Sequence, residues 1–119
     1  MKIMISALVG ALAVGTGAFG AHALKTRLTP EMLSIWNTAA HYQLVHAVVL
    51  LAIELYAQAT GREYPLPWFL LLAGVVLFSG SLYALSLSGI RGLGVITPLG
   101  GVLLLAGWVA IGVSLRSQI

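Results

Sequence analysis

The sequence predicts an all-α fold: an integral membrane four-helix bundle with an interfacial segment between its first and second helices. Two observations carry this reading. Charged residues make up only 8% of the 119 positions and hydrophobic ones 60%, with a mean hydropathy of +1.03. Soluble domains carry about a quarter charged residues, and a water-soluble core this small could not hide so much apolar surface. Secondly, four apolar stretches, about 3–24, 35–59, 66–87 and 93–115, each approach or exceed the roughly 20 residues a helix needs to cross the hydrocarbon layer. The connections between them are too short to hold a soluble domain, so 1–119 reads as a single transmembrane domain.

The first stretch opens with Lys2 and closes near Ala21-His22-Ala23, the outline of a secretory signal with its cleavage site. Its apolar run is nevertheless of full span length, and it is read as a retained helix. "GTGAFG" (Gly15 to Gly20) matches a dinucleotide-binding fingerprint, but that motif works only after a strand and at a helix N-terminus, and no strand precedes it. Ala13, Gly17 and Ala21 recur every fourth residue. Small residues at that spacing let helix backbones approach closely in lipid, so Gly17 is expected at a packing face.

The second helix has a start signal at Thr29-Pro30-Glu31: a cap, a proline at the first helical position and an acid in the first turn. Running from Pro30 to about Ala59, it would be roughly 45 Å long at ~1.5 Å per residue, more than the bilayer core. Its opening turns therefore belong to the interface, and Trp36 is expected there as an anchor, with Trp68 in the same role at the start of the third helix. "TGREYPLP" (Thr60 to Pro67) and "SGIRGLG" (Ser88 to Gly94) are the two remaining turns. In the fourth helix Thr97, Gly101, Trp108 and Gly112 fall on one face at ~100° per residue, which makes Gly101 a packing candidate and Thr97-Pro98 a helix start.

The absence of cysteine excludes disulfides, thiolate metal sites and cysteine nucleophiles. The six basic residues are scattered singly, so no nucleic-acid surface is expected. Divided between the two sides of the membrane they tie three to three, leaving orientation open. The informative anomaly is "TAAHYQLVHAVVLLA" (Thr38 to Ala52), a span carrying His41, Tyr42, Gln43 and His46 where lipid solvates such groups poorly. Tyr42, Gln43 and His46 share one sector of the helix, whereas His41 lies on another face near the interface. Ser79, Tyr83 and Ser86 share a face of the third helix and are the expected counterpart, with His22 joining from the end of the first. The candidate binding residues are therefore His22, Tyr42, Gln43, His46, Ser79 and Tyr83. No histidine or carboxylate spacing typical of a metal site occurs, so neither metal nor cofactor is expected.

"GAFGAHAL" (Gly17 to Leu24), "WNTAAHYQLVHA" (Trp36 to Ala47), "FSGSLYALSLSG" (Phe78 to Gly89) and "LGVITPLGGVLLLAGW" (Leu93 to Trp108) together resemble the YgdD-like family. These are small four-span bacterial inner-membrane proteins whose relatives include transmembrane protein 256. The resemblance covers nearly the whole chain and implies a multi-pass location in the bacterial inner (plasma) membrane. It also marks His22, Trp36, Tyr42, Gln43, His46, Ser79, Ser81, Tyr83, Thr97, Pro98 and Trp108 as important positions without giving any of them a role. The family has no established activity.

The expected function is that of a non-enzymatic structural or accessory membrane component, whose buried polar cluster fixes the bundle and has room for a small ligand or lipid. The alternatives are a small transporter or channel subunit using His46 and Tyr42, and a haem-carrying redox subunit with two histidines on facing helices. The expected partners are the lipid bilayer and either a second copy of the chain or another membrane protein.

Overall fold

A computed structural model of the chain describes residues 1–116. Among them lie four long helices, α1 (Lys2–Ala21), α2 (Pro30–Thr60), α3 (Pro65–Ser88) and α4 (Ile96–Leu115), the last preceded by a 3-10 turn at Arg91–Val95. All four are long and apolar enough to cross a membrane. α2 begins where its cap places it: the Thr29 hydroxyl accepts the Met32 N–H at 3.2 Å, and Pro30 follows in the first turn. It ends at Gly61 and α3 ends at Gly89, both in the left-handed conformation (φ 67° and 72°) that a side chain would strain. α1 stops short of the expected boundary because the chain folds back there: the Leu24 N–H bonds the Phe19 carbonyl, and the Leu24 side chain is buried.

The 31 residues of α2 make it ~46 Å long, so its first turns stand beyond the ~30 Å hydrocarbon layer. There Arg91 of the 3-10 turn grips Glu31 with both guanidinium nitrogens, at 3.0 and 3.4 Å. Both side chains are well exposed, so the pair steers the turn rather than holding the bundle together.

The helices pack in chain order, α1 on α2, α2 on α3 and α3 on α4, with α2 and α3 as the central pair. The buried faces step by seven residues: Trp36, Gln43, Leu50 and Ala57 in α2, Ser6, Ala13 and Gly20 in α1, Gly100 and Gly107 in α4. A seven-residue seam is the signature of helices crossing at about 20° with knobs set into holes. The core divides lengthwise. Leu50, Ile53, Ala57, Tyr64, Trp68, Leu71, Val75 and Leu104 form an apolar half where α2 ends and α3 begins. Apart from Ser6, which sits beside Trp68, the buried polar residues occupy the other half.

Four expected roles are corrected. Gly17 and Gly101 are not packing contacts within the chain. A Cβ at Gly17 would meet nothing within 4 Å, and one at Gly101 only the Phe78 ring at 3.9 Å. The close approaches are at Gly20, where a Cβ would lie 2.5 Å from the Trp36 ring, at Gly74 and Gly107 against Leu104 and Leu71, and at Gly100 against the backbone of Phe78. Trp36 and Trp68 are not lipid-facing anchors either: they are 5% and 0% exposed, because each indole N–H has an acceptor inside the bundle. Trp36 donates to the Thr16 carbonyl at 2.7 Å and Trp68 to the Ser6 hydroxyl at 3.2 Å. Lys2 lies over the Trp68 ring, 5.8 Å from its centroid, and closes that end of the bundle.

Candidate functional site

The polar half of the core is built by side chains that reach for the backbone of a neighbouring helix. Ala13 and Gly20 thin the inner face of α1, and Ala39 and Ala40 that of α2, which brings helical carbonyls within range. Each such carbonyl already accepts its own helical bond but keeps a second lone pair. Trp36 takes Thr16, Gln43 Nε2 takes Val9 at 2.9 Å, and the Ser79 hydroxyl takes Ala39 at 2.8 Å.

One chain of hydrogen bonds has its direction fixed by chemistry. The Val9 carbonyl only accepts, so the Gln43 amide must present NH2 to it and its oxygen to Tyr83, whose hydroxyl donates at 2.6 Å. The Tyr83 oxygen then accepts from Thr16 at 2.8 Å, and the sequence Thr16 to Tyr83 to Gln43 to Val9 joins three helices in one sense. The Trp36 ring, 4.6 Å from the Tyr83 ring between centroids, walls it in.

His46 belongs to a second, separate contact. Its Nδ1 lies 2.7 Å from the Tyr42 carbonyl one turn earlier, and its Nε2 is 3.1 Å from the Trp108 indole N–H of α4. A carbonyl only accepts and an indole only donates, so these partners select the neutral tautomer with the proton on Nδ1. Both ring nitrogens are thereby engaged. Beside this pair a cleft of about 410 Å³ opens between α2, α3 and α4, lined by Tyr42, His46, Phe78, Pro98, Gly101 and Trp108 together with aliphatic residues of α4. The Tyr42 ring lies parallel to the imidazole at its edge, with centroids 6.0 Å apart.

The expected cluster is thus brought together only in part. Gln43, Ser79 and Tyr83 meet in the bundle interior, as does His46, but His46 bonds α4 and its own helix rather than α3 or His22. His22 caps the end of α1 on the surface, and Tyr42 is 40% exposed on the cleft. Ser86 bonds only the Tyr83 carbonyl of its own helix. Thr97 does not cap α4; its hydroxyl pairs with Ser81 of α3 at 2.7 Å. Thr16, Ser6 and the inward roles of Trp36, Trp68 and Trp108 escaped the sequence reading. The seven-residue spacing of Ser6 to Ala13 to Gly20 and of Trp36 to Gln43 to Leu50 is the signal that would have found the inner faces. Among the described residues no cluster of three or more histidines and carboxylates gathers where a metal could sit. The Tyr64 hydroxyl is the one buried side-chain polar atom there that lacks a partner.

The sequence model of the family described as "Protein of unknown function (DUF423)" matches residues 16–101, the stretch that holds Thr16, Trp36, Gln43, His46, Ser79 and Tyr83. The chain belongs to this family. It is 48% identical over 107 residues to a "UPF0382 membrane protein" of Staphylococcus saprophyticus, covering 90% of this chain and 89% of that one. With the UPF0382 membrane protein YwdK of Bacillus subtilis it shares 43% identity over 115 residues, covering 94% and 93%. No solved structure matches the chain. With relatives named as membrane proteins and four helices fit to cross a bilayer, the chain is a multi-pass membrane protein of the bacterial type.

Proposed function

We propose that the chain is an accessory component of the membrane with no catalysis of its own, and that its polar cluster fixes how four helices register against one another. The YgdD-like resemblance is taken as the same family under another name. The observation that carries the reading is closure: the side chains of Thr16, Trp36, Gln43, His46, Ser79 and Tyr83 are each bonded to one another or to helix carbonyls. A path for ions or protons needs groups left free to exchange partners and a polar route through the whole layer. The apolar half of the core, from Leu50 to Trp68 and Leu104, offers no such route. Ligation of a haem by His46 would have to break one of its two ring contacts.

His46→Gln tests this. A glutamine amide accepts through its oxygen and donates through its nitrogen, so it can serve Trp108 and a carbonyl as the imidazole does, yet it cannot titrate. The variant is expected at normal membrane abundance and to restore fully whatever phenotype deletion of the gene produces. Normal abundance without rescue would replace the accessory reading with a proton path.

The cleft favours one addition to this role, the holding of a small lipid-soluble molecule or a lipid chain. Its volume of about 410 Å³ lies in the usual range for ligand sites and its walls are aromatic and aliphatic. Native mass spectrometry from the membrane should find a molecule retained by the parent and lost from Gly101→Leu, whose side chain would enter the cleft. Equal retention by the two would remove the cleft from the proposal.

A further inference from the structure

Asn37 and His41 stand on the outer face of α2, four residues apart and both exposed. Among the described residues neither side chain has a hydrogen-bond partner, whereas Thr38 beside them satisfies its hydroxyl on the Ser34 carbonyl. Their depth makes this costly. α1 is 20 residues long, ~30 Å, which matches the hydrocarbon layer, and Gly20 near its end sits beside Trp36 and Asn37. Asn37 therefore lies at the rim of the layer, and His41 is ~6 Å deeper. Arginine and lysine reach back to the headgroups from such depths on long stems; histidine has a single methylene and cannot. Lipid tails offer no hydrogen bond, so the imidazole at that depth needs a protein partner, and the amide one turn above it is placed to join the same contact.

The shape beside them suits one kind of partner. Ala13, Gly17, Ala18 and Ala21 of α1 floor a shallow groove of about 540 Å³, and Asn37, Ala40, His41 and Leu44 of α2 form its wall. No helix of the chain itself fills it, since a Cβ on Gly17 points into open space. Ridge and groove lie side by side on the same surface. A two-fold axis would set the ridge of one copy into the groove of the other and the reverse, as an isologous contact requires. The polar groups are self-complementary as well: an amide donates and accepts at once, so Asn37 can bond the same residue or His41 of a second copy. Small residues then allow the backbone approach that such bonds need. We infer that the chain pairs with a second copy of itself through the Asn37–His41 ridge of α2 and the Gly17 groove of α1. This face is separate from the cleft at Trp108 and does not depend on the ligand reading.

The test uses full-length protein, labelled with donor or acceptor dye through its amino terminus, in vesicles of bacterial phospholipid across a series of protein-to-lipid ratios. The parent is expected to show energy transfer that saturates as a dimer. Asn37→Leu with His41→Leu should weaken pairing at least tenfold. Gly17→Leu should do the same by filling the groove, and since a Cβ there meets nothing within 4 Å the fold is expected to stand, as unchanged helicity and detergent stability of the variant would show. Gly80→Leu, in equally open space on α3, should leave pairing unchanged. A parent that stays monomeric at every ratio overturns the inference. Pairing that survives both the double leucine variant and Gly17→Leu overturns it too, because the copies then meet on another face.

Discussion

Gly100→Leu is expected to be the most damaging single change in the bundle, while Gly101→Leu, one position on, is tolerated. A Cβ at Gly100 would overlap the backbone of Phe78, with the Leu77 carbonyl carbon 2.9 Å away. A flexible side chain could swing aside, but a helix backbone cannot. Relief therefore requires α4 to move off α3, and that would also separate Gly74 from Leu104 and Gly107 from Leu71, which lie along the same seam. Overpacking a closed core costs about 1–3 kcal/mol and occasionally more, and loss of a whole seam puts Gly100→Leu at or above the upper end. Gly101 points instead toward the Phe78 ring and the cleft, where a side chain has room. The check is survival of the monodisperse peak on size-exclusion chromatography after heating in detergent. Gly100→Leu should collapse at a temperature where Gly101→Leu and the parent persist. If Gly101→Leu is the less stable of the two, the close contact of α4 has been placed on the wrong face.

That one-residue distinction marks where the sequence stops being informative. Hydropathy finds the spans because the bilayer sets their length, and Thr29-Pro30, Gly61 and Gly89 mark ends because caps and left-handed glycines are local requirements. The inward direction is a different matter. In a soluble helix the apolar stripe points to the core, but here lipid and core are both apolar and a helix is apolar all round. Spacing of small residues is the remaining guide, and it is ambiguous. Ala13-Gly17-Ala21 is a good four-residue repeat of which this fold leaves Gly17 and Ala21 outside, while Ser6-Ala13-Gly20 is the seam it uses. Tryptophan is ambiguous for a related reason. Its indole suits the headgroup layer or an interior acceptor equally, and whether the Thr16 carbonyl waits for Trp36 is settled by another helix. The polar residues of the span were the legible part of the site. Gln43 and Tyr83 had to find partners, and each supplies the other's.

Removing Gln43 and the Tyr83 hydroxyl together should therefore cost less than the sum of removing each alone. Gln43→Leu deletes both the acceptor of Tyr83 and the donor to Val9. The Val9 carbonyl keeps its helical bond, and the Tyr83 hydroxyl can turn to donate to Thr16, whose own proton passes to the Ala13 carbonyl 3.1 Å away. The loss is then that of two hydrogen bonds, each worth about 0.5–1.5 kcal/mol net. Tyr83→Phe alone leaves the Gln43 oxygen unmatched, a similar but smaller loss because the amide still holds Val9. In Gln43→Leu with Tyr83→Phe no polar atom of the pair remains in the interior, and Thr16 can turn its hydroxyl to the Ala13 carbonyl 3.1 Å away. The double variant should be about as stable as Gln43→Leu, and the cycle should give a coupling of about 1–2 kcal/mol, above the ~0.6 kcal/mol average of membrane hydrogen bonds because the pair stands in a directed series. Reversible unfolding in mixed micelles, fitted for the parent, the two single variants and the double, supplies the four free energies. Additive losses would mean that Tyr83 and Gln43 do not bond in the membrane, and the closure on which the accessory role rests would go with them.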